Sequence, residues 1–291
     1  KPILWNMSEK PYELIISVVI FNPQLQHLQQ TIESVSQSPG KIKLFIHDNS
    51  PTKTFPAPID CKHPMEYFWD GENLGFGKGH NSNISKGIEL ADHFLILNPD
   101  VFFDSALLPE LLRRMKKDQS IGLSIPRIIH PNGELQAVNR RLPRPQDYII
   151  NFLNNRFIKG RLVTEDYNKY LLKDMDLQKP IECPTISGCF MFFRSSVLKK
   201  LKGFDERFFL YLEDTDLSRR AASISKTVVF SDLCVHHHWS RGAYKNLRLF
   251  SLFVSNLVRY FNKWGWFNDQ ERYLLNSKVQ YYKNPSGTGL N

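Results

Sequence analysis

Residues 14–21 read LIISVVIF and residues 22–50 continue NPQLQHLQQTIESVSQSPGKIKLFIHDNS. The first run is apolar throughout and rich in β-branched side chains, with none of the alternation of a half-wet sheet, so it reads as a strand buried on both faces. Asn22 and Pro23 end it. Leu25, Leu28, Ile32 and Val35 then recur at helical spacing until Ser38-Pro39-Gly40 breaks the pattern. A second buried run, 42–46, leads into His47-Asp48-Asn49-Ser50. Strand, helix, strand predicts a parallel β-α-β unit, whose ligand sits at the carboxyl ends of the strands. Asn22 and Asp48 fall together at that edge, where Asp48 is either a ligand contact or the start of an Asp-Asn-Ser turn.

Outward from this unit, residues 67–69 make a short third strand that runs into Glu72-Asn-Leu-Gly-Phe-Gly-Lys-Gly-His-Asn81. Three alternate glycines and Lys78 suggest a backbone that approaches a phosphate, followed by a helix beginning near Asn81 and burying Ile84 and Ile88. The pattern is neither a Walker loop nor a dinucleotide fingerprint. Residues 94–101, FLILNPDV, deliver Asp100 at the end of a buried strand, where a carboxylate can hold magnesium or manganese against a diphosphate. A helix is expected over 107–117 and a hairpin over 121–133, around Pro131-Asn132-Gly133, where the sheet turns antiparallel. From 139 to 179 periodicity is poor and basic residues are frequent (Arg140, Arg141, Arg144, Arg156, Lys159, Arg161). This is either an excursion near a second substrate or a solvated basic surface. Residues 181–194 read as one strand interrupted at Ser187-Gly188, a bulge or close approach to a ligand. Ser195 then caps a short helix.

Residues 203–220, GFDERFFLYLEDTDLSRR, have two unlike halves. Glu213, Asp214 and Asp216 ahead of Arg219 and Arg220 complement a helix dipole. The aromatic run before them also sets a carboxylate beside apolar surface, where its proton affinity rises and it can act as a general base. Beyond a strand at 227–230 come His236, His237 and His238, which alternate faces and so cannot share one metal. The tail, 244–284, shows two helical patterns parted near Trp264-Gly265-Trp266. Its broad apolar face, flanked by Lys245, Arg248, Arg259 and Lys263, either covers the sheet or meets an anionic membrane surface.

The chain has 291 residues and a formal charge of +9, which implies an anionic partner such as a nucleotide diphosphate, a nucleic acid or an acidic membrane. Four cysteines without C-x-x-C spacing signal neither zinc nor a disulfide framework and are expected to be reduced. No apolar run reaches the roughly 18 to 20 residues that span a bilayer and no signal peptide is evident, so the expected location is cytoplasmic, peripheral on the inner membrane face.

Residues 203–206 and 209–217 resemble the acceptor-side signature of family 2 inverting glycosyltransferases of GT-A fold, in the branch containing bacterial rhamnosyltransferases. The resemblance implies an α/β fold with a Rossmann-like mixed sheet flanked by helices over 13–240 and a C-terminal helical extension over 241–291. Within 13–240, residues 13–120 would form the nucleotide-sugar half and 121–240 the acceptor half. It makes Asp214 the base that deprotonates the acceptor hydroxyl. Asn22, Asp48, Asn73, Gly75, Gly77, Lys78, Asn81 and Asp100 would bind the nucleotide sugar, and Gly188, Glu213 and Arg219 the acceptor. Asp100 and His237 would hold a divalent cation, magnesium or manganese. Asn98 departs from the family's Asp-x-Asp motif, leaving one motif carboxylate. The implied reaction moves a sugar, L-rhamnose among the candidates, from a nucleotide diphosphate donor to a cell-surface glycan precursor or a polyprenyl-diphosphate-linked acceptor. Two other readings, a basic nucleic-acid-binding protein and a silent scaffold of the same fold, differ in predicting no sugar transfer; no nucleic-acid-binding module is recognisable.

Overall fold

The computed structural model describes residues 10–55, 60–154, 164–239 and 247–283. Strand β1 (Tyr12–Ile20) is buried from Leu14 onward, as its unbroken apolar run requires. Helix α1 (Leu25–Gln37) lays Leu28, Ile32 and Val35 against the core, and β2 (Ile42–Asp48) returns parallel to β1, pairing Ile20 with Asp48. Next come β3 (Met65–Trp69), parallel to β2, then α2 (Phe76–Gly87) and β4 (Ala91–Leu97), parallel to β1 on its other side.

The glycine-rich stretch departs from the sequence expectation. It is not a loop: α2 begins at Phe76, with Gly75 as its cap, rather than near Asn81. A Cβ on Gly77 would stand 2.9 Å from Phe204, one on Gly79 3.0 Å from Val19, and one on Gly87 2.8 Å from both Ile15 and Phe45. At Gly79 and Gly87 the missing Cβ lets this helix lie directly on β1 and β2, and at Gly77 it makes room for Phe204, so close packing accounts for these glycines. Gly75 itself has φ +79°, and a Cβ there would collide with the Phe209 carbonyl.

The chain then forms β5 (Val101–Phe102), α3 (Leu107–Lys117), β6 (Ile121–Ile129), α4 (Pro145–Leu153), α5 (Glu165–Tyr170), β7 (Ile181–Glu182), β8 (Phe190–Arg194), α6 (Ser195–Leu201), α7 (Glu213–Ala222) and β9 (Lys226–His237). Helices α8 (Leu247–Trp264) and α9 (Gln270–Ser277) and strand β10 (Gln280–Tyr281) follow. The sheet runs β10-β7-β9-β6-β8-β4-β1-β2-β3, with β5 on β9. Parallel pairing gives way to antiparallel at β4 and β8, not at the expected hairpin. Around Gly133 there is a turn with a single bridge, Ile129 to Leu135, because the two edges of β6 are taken by β8 and β9. Nor is 181–194 one bulged strand: β7 pairs with β9, β8 with β4 and β6, and the segment between them belongs to neither strand. Ser195 is the first residue of α6 rather than its cap.

The tail is no appendage. Strand β10 adds to β7, and α8 buries Tyr260 and Phe261 against Phe208 and Leu212 rather than covering the sheet. Of the basic excursion, Arg156, Lys159 and Arg161 lie outside the described residues, as does Lys245.

Candidate active site

The carboxyl ends of β4 and β9 and the start of α7 converge on one face. Asp100 follows β4, and the β5–β9 register pairs Val101 with His237, so the two sit beside each other: His237 Nε2 is 3.4 Å from Asp100 Oδ1. Gln136 determines what lies between them. Its amide nitrogen donates to the His237 carbonyl (2.7 Å), which turns its oxygen toward His237 Nδ1 at 3.0 Å. Nδ1 therefore carries a proton, and Nε2 faces Asp100 Oδ1, itself buried without a hydrogen-bond partner; in the neutral imidazole that Nε2 carries a lone pair. With the imidazole neutral, two acceptors face each other across a gap that fits a shared cation, and a histidine oriented through its second nitrogen is the usual support for a metal ligand. The donor set, one carboxylate and one imidazole, suits manganese or magnesium with phosphate oxygens completing the shell. The neighbouring histidines point elsewhere: His236 stacks on Phe102 and His238 on His27.

Asp214 stands in the first turn of α7. Gly188 N–H donates to its Oδ2 at 2.9 Å, and the Thr215 N–H to Oδ1 at 2.7 Å. A Cβ at Gly188 would lie 3.1 Å from the Asp214 Cβ, so the glycine permits this approach. Burial raises the Asp214 pKa against these hydrogen bonds, as a general base requires. Burial first, and then the charges of Asp100 and Asp214, push the Cys189 thiol up to about 12, so both carboxylates lie within electrostatic reach of this one residue. Just before Asp214, Tyr211 and Leu212 both hold positive φ (+75° and +70°), a strained pair that aims the carboxylate. Asn256 of α8 fastens that pair, donating from Nδ2 to the Leu210 carbonyl at 2.8 Å and the Tyr211 carbonyl at 3.4 Å.

The remaining expected residues divide. Asn22 is at the β1 edge, its N–H donating to Ser50 Oγ (2.8 Å), and Asn73 Oδ1 accepts from Gly75 N–H (3.0 Å) in the turn before α2. Lys78 is exposed on α2. Asp48 faces inward instead. It is fully buried and accepts from Ser50 N–H, Thr54 and the Tyr67 hydroxyl (2.6 Å). Burial alone would raise its pKa, but the hydrogen bonds from Ser50, Tyr67 and Thr54 outweigh it and hold the carboxyl below its usual range. Asn81 brackets the loop after α6, exchanging hydrogen bonds with Phe204 (2.8 and 2.9 Å) and donating to Glu206. Glu213 is buried, its pKa raised well above the usual value by burial and then by Asp214. Arg219 is 1% exposed and holds Asp269 (2.6 and 2.7 Å) and Glu271 of the tail, so it cannot reach an acceptor. Asp216 likewise is internal, paired with Lys263 (2.6 Å) and Arg220 (2.9 Å).

The sequence matches the Glycosyl transferase family 2 profile over residues 15–202. The chain belongs to that family. This glycosyltransferase is 26% identical over 239 residues to the N-acetylglucosaminyl-diphospho-decaprenol L-rhamnosyltransferase of Mycobacterium tuberculosis, covering 77% of this chain and 76% of the relative. It is 21% identical to the rhamnosyltransferase WbbL of Escherichia coli K12, over 71% and 76%. Its fold is that of GT-A glycosyltransferases: GalNAc-T7 with UDP, GalNAc and Mn2+ superposes at a TM-score of 0.61 with 15% identity, covering 88% of this chain and half of that one. The mannosyltransferase PcManGT of Pyrobaculum calidifontis, in complex with GDP-Man and Mn2+, gives 0.55 with 14% identity, over 87% and 64%.

Gln136, Asn256 and Asn49 were not foreseen. Asn49 ties β2 to the turn before α2, donating to the Gly75 carbonyl (2.9 Å) and accepting from Leu74 N–H (3.2 Å). For Asn256 a signal existed, a lone amide within the apolar stripe of α8. Gln136 offered none, because its partner is about a hundred residues away.

Proposed function

We propose that this glycosyltransferase moves a sugar of the L-rhamnose class from a nucleotide diphosphate donor to a hydroxyl of a polyprenyl-diphosphate-linked glycan, with inversion at the anomeric carbon. The acceptor class follows the Mycobacterium tuberculosis relative, which by its name acts on N-acetylglucosaminyl-diphospho-decaprenol. The observation that carries the mechanism is Asp214, held on both oxygens by Gly188 and Thr215 with its proton affinity raised, on the same face as Asp100 and His237. Asp214 takes the proton of the acceptor hydroxyl, the freed oxygen pair attacks the anomeric carbon, and the bond to the donor diphosphate breaks with its electrons leaving on the diphosphate. Asp100 and His237 would hold the divalent cation, which when bound supplies charge neutralisation for that leaving group.

Turnover of a thymidine-diphosphate rhamnose donor with a short-chain N-acetylglucosaminyl diphosphate lipid tests the reading. Asp214→Asn is expected to lower kcat by roughly 10²- to 10⁴-fold while donor affinity stays. Asp216→Asn instead loosens a buried ion pair and is read as lost stability, on the order of 3 kcal/mol. Transfer at the native rate by Asp214→Asn would remove the base from this carboxylate.

We also place the protein against an anionic membrane. Supporting this, Leu247 (88% exposed) and Phe267 (82%), with Val254, Val258 and Leu274, present apolar surface on and beside the two tail helices. Among the described residues no helix is long and apolar enough to cross a bilayer.

A further inference from the structure

Along the segment that leads to Gly188 lies a cation that faces no carboxylate among the described residues. Arg140 forms a bridge with Thr185, its carbonyl accepts from the Cys183 thiol (3.1 Å), and the preceding Asn139 Oδ1 accepts from Ser187 N–H (3.0 Å). The backbone of Arg140 is thus fixed alongside the segment whose Gly188 holds Asp214. Adjacent arginines are neutralised, Arg141 by Asp174 at 2.6 Å and Arg144 by Asp147 and Asp166 at 2.9 and 2.8 Å. Arg140 meets no carboxylate among the described residues. Its Nη1 donates to the Tyr170 hydroxyl across a long 3.4 Å, and its guanidinium lies 5.5 Å from the Tyr170 ring.

Tyr148 and Tyr167 lie within electrostatic reach of it, Tyr167 beside Tyr170 with ring centroids 6.0 Å apart, and opposite Arg140 the Thr185 hydroxyl is buried without a hydrogen-bond partner. A partly buried guanidinium faced by neutral tyrosines has no full counter-charge there, and its planar fork suits phosphate oxygens. Tyr170, which accepts from Arg140, still has its own proton to donate. Tyr148 continues outward: it packs on Phe253 of α8 at 5.7 Å, and its neighbour Ile149 is 59% exposed. From the base to the exposed helices the surface therefore passes from carboxylate to cation to apolar side chains. That is the order of groups in a sugar joined through a diphosphate to a lipid.

We propose that Arg140, enclosed by Tyr148, Tyr167 and Tyr170, binds the diphosphate linking the acceptor sugar to its lipid and selects such acceptors over neutral glycosides. This rests on the acceptor class proposed above. Transfer is measured to a decyl-diphosphate N-acetylglucosamine and to neutral octyl N-acetylglucosaminide, by the native protein, Arg140→Lys and Arg140→Met. In Arg140→Met the KM for the diphosphate acceptor is expected to rise about 10- to 100-fold, as for loss of a charge-assisted contact, with the neutral acceptor and the donor unchanged. Arg140→Lys should fall between. Binding of decyl diphosphate alone, by titration calorimetry with nucleoside diphosphate saturating, should vanish in Arg140→Met. Equal losses on both acceptors, a raised KM for the donor alone, or undiminished decyl diphosphate binding would each overturn the assignment. If the native protein uses neither acceptor yet decyl diphosphate binds through Arg140, the anion site stands and the acceptor class is wrong.

Discussion

Asp214 and Glu213 are adjacent acids with different fates, and burial is what separates them from ordinary surface carboxylates. Glu213 Oε2 has no hydrogen-bond partner, and its pKa is raised by burial and then by the charge of Asp214. A carboxyl raised in the folded state favours folding fully below its unfolded value, and that contribution disappears as pH climbs through the folded value. Glu213→Gln, a fixed neutral mimic, should therefore gain stability over the native protein as pH rises from about 5 to 9, by about 1.4 kcal/mol for each pH unit climbed between the unfolded and the folded pKa. Urea melts across that range check it, and parallel curves would mean that Glu213 does not ionise on this scale. Gln136 offers a second test. Gln136→Ala leaves His237 Nδ1 without its acceptor and is expected to weaken manganese binding about 10- to 100-fold, with Gln136→Glu retaining it. Calorimetric titration with Mn2+ decides, and an unchanged affinity in the alanine variant would count against Asp100 and His237 as ligands.

At the level of elements, α8 reaches from outside to the turn that leads into α7. Asn256 is fully buried and holds the carbonyls of Leu210 and Tyr211, next to the two positive-φ residues that lead into Asp214. Without that amide the strained turn has an alternative, since each such residue stores on the order of 1 to 3 kcal/mol. Asn256→Ala is expected to lower kcat by about tenfold and stability by about 1 to 3 kcal/mol. Donor affinity should not move. Steady-state kinetics beside a denaturant melt reads both, and native values in each would free α8 from any role in aiming the base. The neighbouring contacts act in the same direction: Lys263 pairs with Asp205 (2.8 Å) and Asp216 (2.6 Å), and Arg219 with Asp269.

For the whole molecule, those internal partners alter the membrane argument. Lys263, read from the sequence as a flank of a face that either covers the sheet or meets an anionic membrane, is engaged within the fold, so the proposed attachment would rest more on exposed apolar side chains of α4, α8 and the 265–274 region. Co-sedimentation with phosphatidylglycerol vesicles is expected at low salt and to weaken only partly at high salt, because charge screening spares the apolar share. Phe267→Ser with Leu274→Ser should reduce it further than salt does. Failure to sediment at low salt would return these helices to a packing role alone.

What the sequence determined by itself is the first β-α-β unit. The run at 14–21, the helical spacing of Leu28, Ile32 and Val35, and the second run ending at Asp48 are local patterns whose burial follows from hydrophobicity and period, and the parallel order follows from their connection. The acidic cluster at 213–216 was also legible as residues, and the family resemblance singled out Asp214 among them. Only the tertiary structure decided that Asp214 meets Gly188 while Asp216 meets Lys263, that Arg219 serves the tail, and that Gly79 and Gly87 of α2 pack on the sheet. It also split 181–194 between two sheet positions and set Gln136 on His237. Each of those depends on contacts between residues far apart in the chain, and such pairing leaves no period in the local sequence to read.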